Sequence, residues 1–151
     1  MRNEIIELAK VRLEEMLTFF GVNTTVEIAD DGERVELMVP IDDGGRLIGR
    51  HGETLHAFQQ ILNSIVRRQS KEPLFMSVDI AGYKKARTEA IEARAREAAE
   101  RVLETGKSVT LKPMPPAERR IVHSVMAEFP EIETGSIGED PQRQVVISKR
   151  T

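Results

Sequence analysis

The chain has 151 residues, of which 40% are apolar and 31% are charged, and it contains no cysteine. This length suits one domain or two small ones, and the composition excludes a disordered or collagen-like chain. The lack of cysteine excludes a disulfide framework, a thiolate zinc site and a cysteine nucleophile. Acids occupy the start of the chain, and no segment approaches the ~20 apolar residues of a membrane span. We therefore expect a cytoplasmic protein that does not insert into a membrane.

Charge is distributed unevenly along the chain, although the net charge is only −3. Residues 1–43 hold 4 basic and 11 acidic side chains, whereas residues 44–71 hold 5 basic and 1 acidic. Residues 82–112 carry 8 basic against 5 acidic side chains, and residues 141–151 add 3 basic side chains and no acid. Because the local potential governs where a polyanion docks, the basic segments are candidates for contact with nucleic acid.

The first half of the sequence predicts helices and strands in one compact order. The predicted elements are a helix at 3–20, strands at 25–29 and 35–39, a loop at 45–52, a long helix over 55–66 and a strand at 74–80. Apolar residues recur about every 3.6 positions in the helices and at alternate positions in the strands. Asp30, Asp31 and Gly32 supply the turn chemistry of a hairpin, and Pro73 interrupts the second helical pattern. We therefore predict a first domain over residues 1–81.

The second half begins with a change of composition at Gly82. The predicted elements are a helix at 83–103, a short strand at 109–111, a helix at 117–128 and a hairpin of strands at 132–137 and 144–148. The first of these helices is rich in alanine and charged residues, which are strong helix formers, and Gly106 ends it. Prolines precede the second helix, where their fixed dihedral suits the first turn. We therefore predict a second domain over residues 82–151 and the fold class α+β.

The segment Ile48-Gly49-Arg50-His51-Gly52 is the first candidate site. Two glycines let the backbone approach a sugar-phosphate chain closely, while Arg50, His51 and the first amides of the next helix favour negative charge. We expect bases to lie over an apolar groove formed by Ile48, Leu55 and the strand around 75–78. The alternative is that these glycines only make tight turns.

Metal binding at His51 is not expected. The other histidines are His56 and His123, and neither stands four residues from His51 on a helix. No phosphate-binding Walker loop or dinucleotide fingerprint occurs either. We therefore predict no metal, no cofactor and no small-molecule substrate.

A second candidate site centres on Arg119 and His123, which lie four residues apart on a predicted helix and so share one face. Arg120 extends the basic edge, and Arg143 in the last hairpin could complete the cluster. A guanidinium offers forked donors for phosphate, and an imidazole can donate a hydrogen bond or stack on a base. The alternative is a surface helix whose Arg119 pairs with a nearby glutamate and whose His123 is half-buried.

The sequence around both sites resembles a known family. Residues 45–55, Gly49 and Gly52 among them, are similar to the signature of a type II KH domain, and residues 111–123 with 135–147 resemble the domain named for Arg and His separated by three residues. Together with residues 79–83, these segments resemble the bacterial Jag family, also called KhpB, the SpoIIIJ-associated RNA-binding proteins. The resemblance runs from about residue 5 to 150.

This resemblance implies both a fold and a function. The fold would be a type II KH domain of order αββααβ over residues 1–81, followed by a small α/β domain with a short mixed sheet over residues 82–151. The function would be binding of single-stranded RNA or single-stranded DNA, with a role in regulating envelope growth, cell shape or division. The site residues would be Ile48, Gly49, Arg50, His51, Gly52, Arg119, Arg120, His123 and Arg143.

Two departures from the family pattern bear on its partners. Family members often carry an additional amino-terminal domain, for which the sequence before residue 5 leaves no room. The acidic residues 1–43 do not resemble an RNA surface, and we expect them to face away from the ligand or toward a protein. Similar proteins pair with a smaller KH protein, so a KH partner or self-association is a further expectation.

Catalysis is not expected, since the nearest nucleophile, Ser124, points about 100° away from its neighbour His123 on a helix. The main competitor to nucleic-acid binding is a protein-interaction scaffold in which nucleic-acid contact is incidental. We favour a bipartite grip, in which the loop at Gly49–Gly52 clamps one stretch of backbone and the second cluster holds another. Aromatic residues make up only 4% of the chain, so little base stacking and modest sequence preference are expected.

Overall fold

The computed structural model describes residues 1–71 and 74–151, so Pro73 lies outside the described residues. The chain divides into two compact units, Met1–Lys84 and Lys85–Thr151. Each unit has its own cluster of buried apolar side chains. The units are therefore described separately.

The first unit consists of helices packed on a three-stranded sheet. Its elements are α1 (Arg2–Phe19), β1 (Glu27–Asp30), β2 (Arg34–Val39), the one-turn helix α2 (Gly45–Ile48), a 3-10 turn (Arg50–Gly52), α3 (Glu53–Gln69) and β3 (Phe75–Ile80). The strand order is β1-β2-β3, with β1 antiparallel and β3 parallel to β2. A parallel neighbour needs a crossover, and α2 and α3 supply it. The predicted order αββααβ is confirmed.

The core of the first unit explains the spacing of its apolar residues. Val35, Leu37 and Val39 alternate along β2 and are buried, and Leu55, Phe58 and Leu62 are buried on one face of α3. Phe58 also meets Phe20 edge to face at 5.4 Å between ring centroids. This packing fixes the position of the segment between α2 and α3.

The second unit packs two helices against a second three-stranded sheet. Its elements are α4 (Tyr83–Thr105), which begins in the first unit, then β4 (Val109–Thr110), α5 (Pro116–Met126), β5 (Ile132–Ile137) and β6 (Gln144–Lys149). The strand order is β4-β6-β5, and both pairings are antiparallel. The prediction of a mixed sheet in the second domain is therefore wrong. β5 and β6 are antiparallel because a short connection joins them as a hairpin, and the mixed sheet is that of the first unit.

Small residues let the second unit pack closely. Ala95, Ala98 and Ala99 on α4 are buried with Val122 of α5 and Val145 of β6. The apolar stripe on α4 is narrow because most other positions carry charges. In the described part of the chain, none of the helices combines the length and the apolar character that crossing a bilayer requires.

Candidate nucleic-acid interface

The loop at Gly49–Gly52 has a backbone conformation that few residues other than glycine adopt. Gly49 has φ 74° and Gly52 has φ 79°. His51, between them, also lies in the left-handed region at φ 53° and ψ 24°. Such values are uncommon for residues with a side chain. The sequence therefore specifies an outward bend between α2 and α3.

A side chain would collide with its neighbours at Gly49 and would be tightly packed at Gly52. A Cβ on Gly49 would overlap Oγ1 of Thr54 and lie 3.0 Å from its amide nitrogen. A Cβ on Gly52 would lie 3.1 Å from Cε1 of Tyr83. Gly49 is thus required by packing as well as by its dihedral angles, whereas Gly52 is favoured mainly by its positive φ.

Exposed basic side chains lie beside this bend. Arg46, Arg50 and His51 are exposed, as is Asp43, which accepts a hydrogen bond from the amide of Gly45 at 3.1 Å. The N-cap residue of α3 is Gly52, which has no side chain to cap the helix, and the first turn carries one acidic residue, Glu53. Backbone amides and cations of this kind favour the phosphates of a single strand.

Most of the residues expected to line an apolar groove beside the loop are buried in the core instead. Ile48 and Leu55 belong to the hydrophobic core, as do Met76 and Val78 of β3. Their side chains face the sheet and the helices because each lies on the inward side of its element. Phe75 alone of the predicted groove residues is open, with 77% of its surface exposed.

A groove that sequence reasoning missed runs between α3 and β3. Its cavity has a volume of about 410 Å³, and its lining includes Asn63, Arg67, Lys71 and the exposed Phe75. Gln59 lies at one side of it and accepts a hydrogen bond from the amide of Val78 at 3.2 Å. Cations, amides and one open ring suit phosphates and bases. The excess of basic side chains in residues 44–71 was the sequence feature that pointed to this groove, but only the fold shows that Arg67 and Lys71 line it together.

In the second unit, Arg119 is nearly buried, with 8% of its surface exposed. Its guanidinium bonds the carbonyl of Met114 at 2.8 Å and the carboxylate of Asp140 at 2.6 and 3.4 Å. The hydrogen bond from Arg119 holds the pKa of Asp140 below its ordinary value, and the charge of Arg143 acts in the same direction. Arg119 is therefore engaged within its own domain.

His123 is half-buried and shares a hydrogen bond of 2.7 Å between its Nδ1 and Oγ1 of Thr134 on β5. This contact orients the ring, and Nε2 lies on the opposite edge. In the first turn of α5, Glu118 is nearly buried and binds Arg87 of α4 through two bonds of 2.8 and 2.9 Å. These two residues of α5 thus tie the helix to α4 and to the sheet.

Arg120 and Arg143 occupy different places. Arg120 is exposed and lines a groove of about 350 Å³ between α4 and α5, together with Arg96. Arg96 is itself paired with Glu128 at 3.3 Å. Arg143 is exposed at the start of β6, close enough to Asp140 to affect its titration. The structure therefore places Arg119 and Arg143 near Asp140 of the β5–β6 turn, His123 beside Thr134 of β5, and Arg120 in the groove between α4 and α5.

Comparison with known proteins matches both halves of the chain. The family model for the "KhpA/KhpB, KH domain" matches residues 7–80, and the model for the domain named for Arg and His separated by three residues matches residues 89–149. A protein of Clostridium symbiosum, named RNA-binding protein KhpB, is 35% identical over 128 residues, which are 85% of this chain and 58% of that protein.

In both of its halves, the chain matches proteins of the Jag/KhpB family.

Two further KhpB relatives have lower identity. The RNA-binding protein KhpB of Bacillus subtilis (strain 168) is 29% identical over 147 residues, 96% of this chain and 71% of that protein. The protein of the same name from Streptococcus pneumoniae serotype 2 is 29% identical over 144 residues, 95% of this chain and 43% of that protein. The chain thus spans between about two fifths and seven tenths of these KhpB relatives.

Proposed function

We propose that this chain is a non-enzymatic, cytoplasmic regulatory protein that binds single-stranded RNA through its phosphate backbone. The observation that carries the proposal is the loop at Gly49–Gly52, where two glycines at positive φ bend the backbone at the exposed Arg50 and His51. The names of the KhpB relatives support RNA as the ligand. Single-stranded DNA offers the same phosphates, and only a contact to the 2′-hydroxyl would separate the two.

The grip on the strand is bipartite in this proposal. In the first unit, Gly49 to Gly52 meet the backbone, and the groove lined by Arg67, Lys71 and Phe75 takes the next nucleotides. In the second unit, His123 and Arg143 meet phosphates, with Arg120 on a separate edge. Two linked sites raise the overall affinity through effective concentration.

The acidic part of the chain fits this division of surfaces. The acids of residues 1–43 lie mostly on α1, on β1 and in the β1–β2 turn, and β1 is at the opposite edge of the sheet from β3. A KH-domain partner or a second copy of the chain remains part of the proposal, as does a role in envelope growth, cell shape or division. These rest on the family alone.

Fluorescence anisotropy with poly-uridine RNA and its DNA counterpart, over a series of salt concentrations, tests the proposal. The native chain is compared with the double variant Arg50→Asp, His51→Asp. We expect binding of the native chain to fall steeply with salt, because each phosphate contact releases counterions. We expect the variant to lose most of its affinity, because two carboxylates repel phosphate at the bend.

A matched control is the double variant Asn3→Asp, Lys10→Asp on α1, which makes a similar change in net charge on the acidic part of the chain. This variant should bind nearly as the native chain does. Equal losses in both variants would mean that only net charge matters. If the native chain binds neither strand, or binds without dependence on salt, a protein-interaction scaffold is the better account.

A further inference from the structure

Three parts of the second unit meet at the Arg119 guanidinium. These are the segment before α5, through the carbonyl of Met114, α5 itself, and the β5–β6 turn, through the carboxylate of Asp140. Asp140 is 53% exposed on its side chain, whereas Arg119 is 9% exposed on its own. The arginine therefore lies beneath the turn, and its bonds run to groups of the protein.

The same turn carries Arg143 and is closely packed. The carbonyl of Arg143 accepts a bond from the amide of Met114 at 3.3 Å, and the amide of Gln142 bonds the carbonyl of Glu139 at 2.8 Å. A Cβ on Gly138 would lie 3.3 Å from the carbonyl oxygen of Gln142. The backbone of Arg143 is thus fixed relative to the segment that Arg119 holds.

We propose that Arg119 is a positioning residue: it holds the turn at residues 138–143 against the segment at Met114, so that Arg143 presents its side chain to the RNA backbone. This rests on the proposed function for its ligand. Three bonds join this nearly buried guanidinium to groups of the protein, and its removal leaves the carboxylate of Asp140 without its cation. Arg143 is exposed and meets phosphate in its place.

A direct role and a positioning role for Arg119 predict opposite effects of Asp140→Asn. If Arg119 contacted phosphate, this substitution would free its guanidinium and remove a nearby negative charge, so RNA would bind more tightly. If Arg119 positions the turn, the substitution weakens the ion pair that holds it. We then expect poly-uridine to bind roughly three- to ten-fold more weakly, as for other coupled pairs. The matched control is Glu139→Gln, which removes an adjacent exposed carboxylate and should not weaken binding.

A double-mutant cycle on the full chain provides the second measurement. Arg119→Ala should cost much less in an Arg143→Ala background than in the native chain, because its effect acts through Arg143. The salt dependence of the affinity reports how many counterions are released on binding. This number should fall by about one for Arg143→Ala, with no further fall when Arg119→Ala is added. Independent losses of affinity, together with a second fall of about one ion, would overturn the proposal.

Amide hydrogen exchange of the free protein separates this inference from the proposed function. Arg119→Ala and Asp140→Asn should each speed exchange at residues 138–143 and at Met114, while α3 in the first unit stays unchanged. Unchanged exchange in the turn would overturn the positioning role. If the native chain binds no RNA, the proposed function fails, and the exchange of the turn still decides whether Arg119 holds Arg143 in place.

Discussion

The two candidate contact regions differ in what determines their structure: backbone conformation in one and side-chain bonds in the other. The bend at Gly49–Gly52 is a backbone structure, specified by glycines that lie close together in sequence and have no side chain. The cluster around Arg119 is a side-chain structure, which joins α5 to groups 5 and 21 residues away. A backbone structure depends on which residues are allowed at each position, whereas a side-chain structure depends on its partners. Substitutions should therefore act differently in the two regions.

Gly49→Ala should have the largest effect, because it adds backbone strain and a collision with Thr54. We expect a loss of about 3 kcal/mol in the free energy of unfolding of the first unit. The control is Gly21→Ala, since Gly21 has a similar φ of 75° and nothing within 4 Å of an added Cβ. It should cost about 1 kcal/mol. Urea unfolding compares the two, and equal losses would show that the contact with Thr54 does not require the glycine.

Glu118→Gln should have a smaller effect that is confined to the second unit. The substitution keeps the shape of the side chain but removes the charge that binds Arg87 through two hydrogen bonds. We expect a loss of about 2 kcal/mol, since a nearly buried pair is broken but Arg87 is partly exposed to water. Amide exchange should rise at Val122 and Val145 and stay constant at Leu62. A rise of exchange in both units would contradict the separate cores.

Acid should produce the smallest effect, through the Arg119–Asp140 pair. Arg119 lowers the pKa of Asp140 in the folded chain, so the pair stabilises the protein above the unfolded pKa of this carboxyl. The stabilisation is lost as pH falls through the lowered folded value. The difference in stability between the native chain and Asp140→Asn should therefore shrink below about pH 4. Asp30 and Asp31 also have lowered pKa values, but they are common to both proteins. A difference that stays constant down to about pH 2 would contradict the ion pair.

The order of the elements could be predicted from sequence because it follows local patterns. Alternating residues at 35–39 predicted β2, and the prolines before α5 predicted a helix that starts close to Pro116. The one-turn helix α2 has no such pattern, since it is only four residues long. The pairing in the second sheet was expected to be mixed and is antiparallel, because pairing depends on which strands become neighbours.

The candidate site was predictable only in part, for a related reason. Gly49 and Gly52 could be read from sequence because each is required at its own position. The inward turn of Ile48 and Leu55 could not, since a hydrophobic side chain suits both a core and a groove. The partners of Arg119 and His123 are Asp140 and Thr134, which only the hairpin brings near α5. Sequence spacing indicated the shared helix face and gave no sign of these bonds.

The most direct test of the account is a titration of the isotope-labelled native chain with poly-uridine RNA, followed by backbone amide chemical shifts. The bipartite grip predicts perturbations in two separate sets, one at Gly49–Gly52 with the start of α3 and the other around His123 and Arg143. Amides of α1 and β1 should not move. Perturbations confined to α1 and β1, or to one unit only, would contradict a grip that uses both domains.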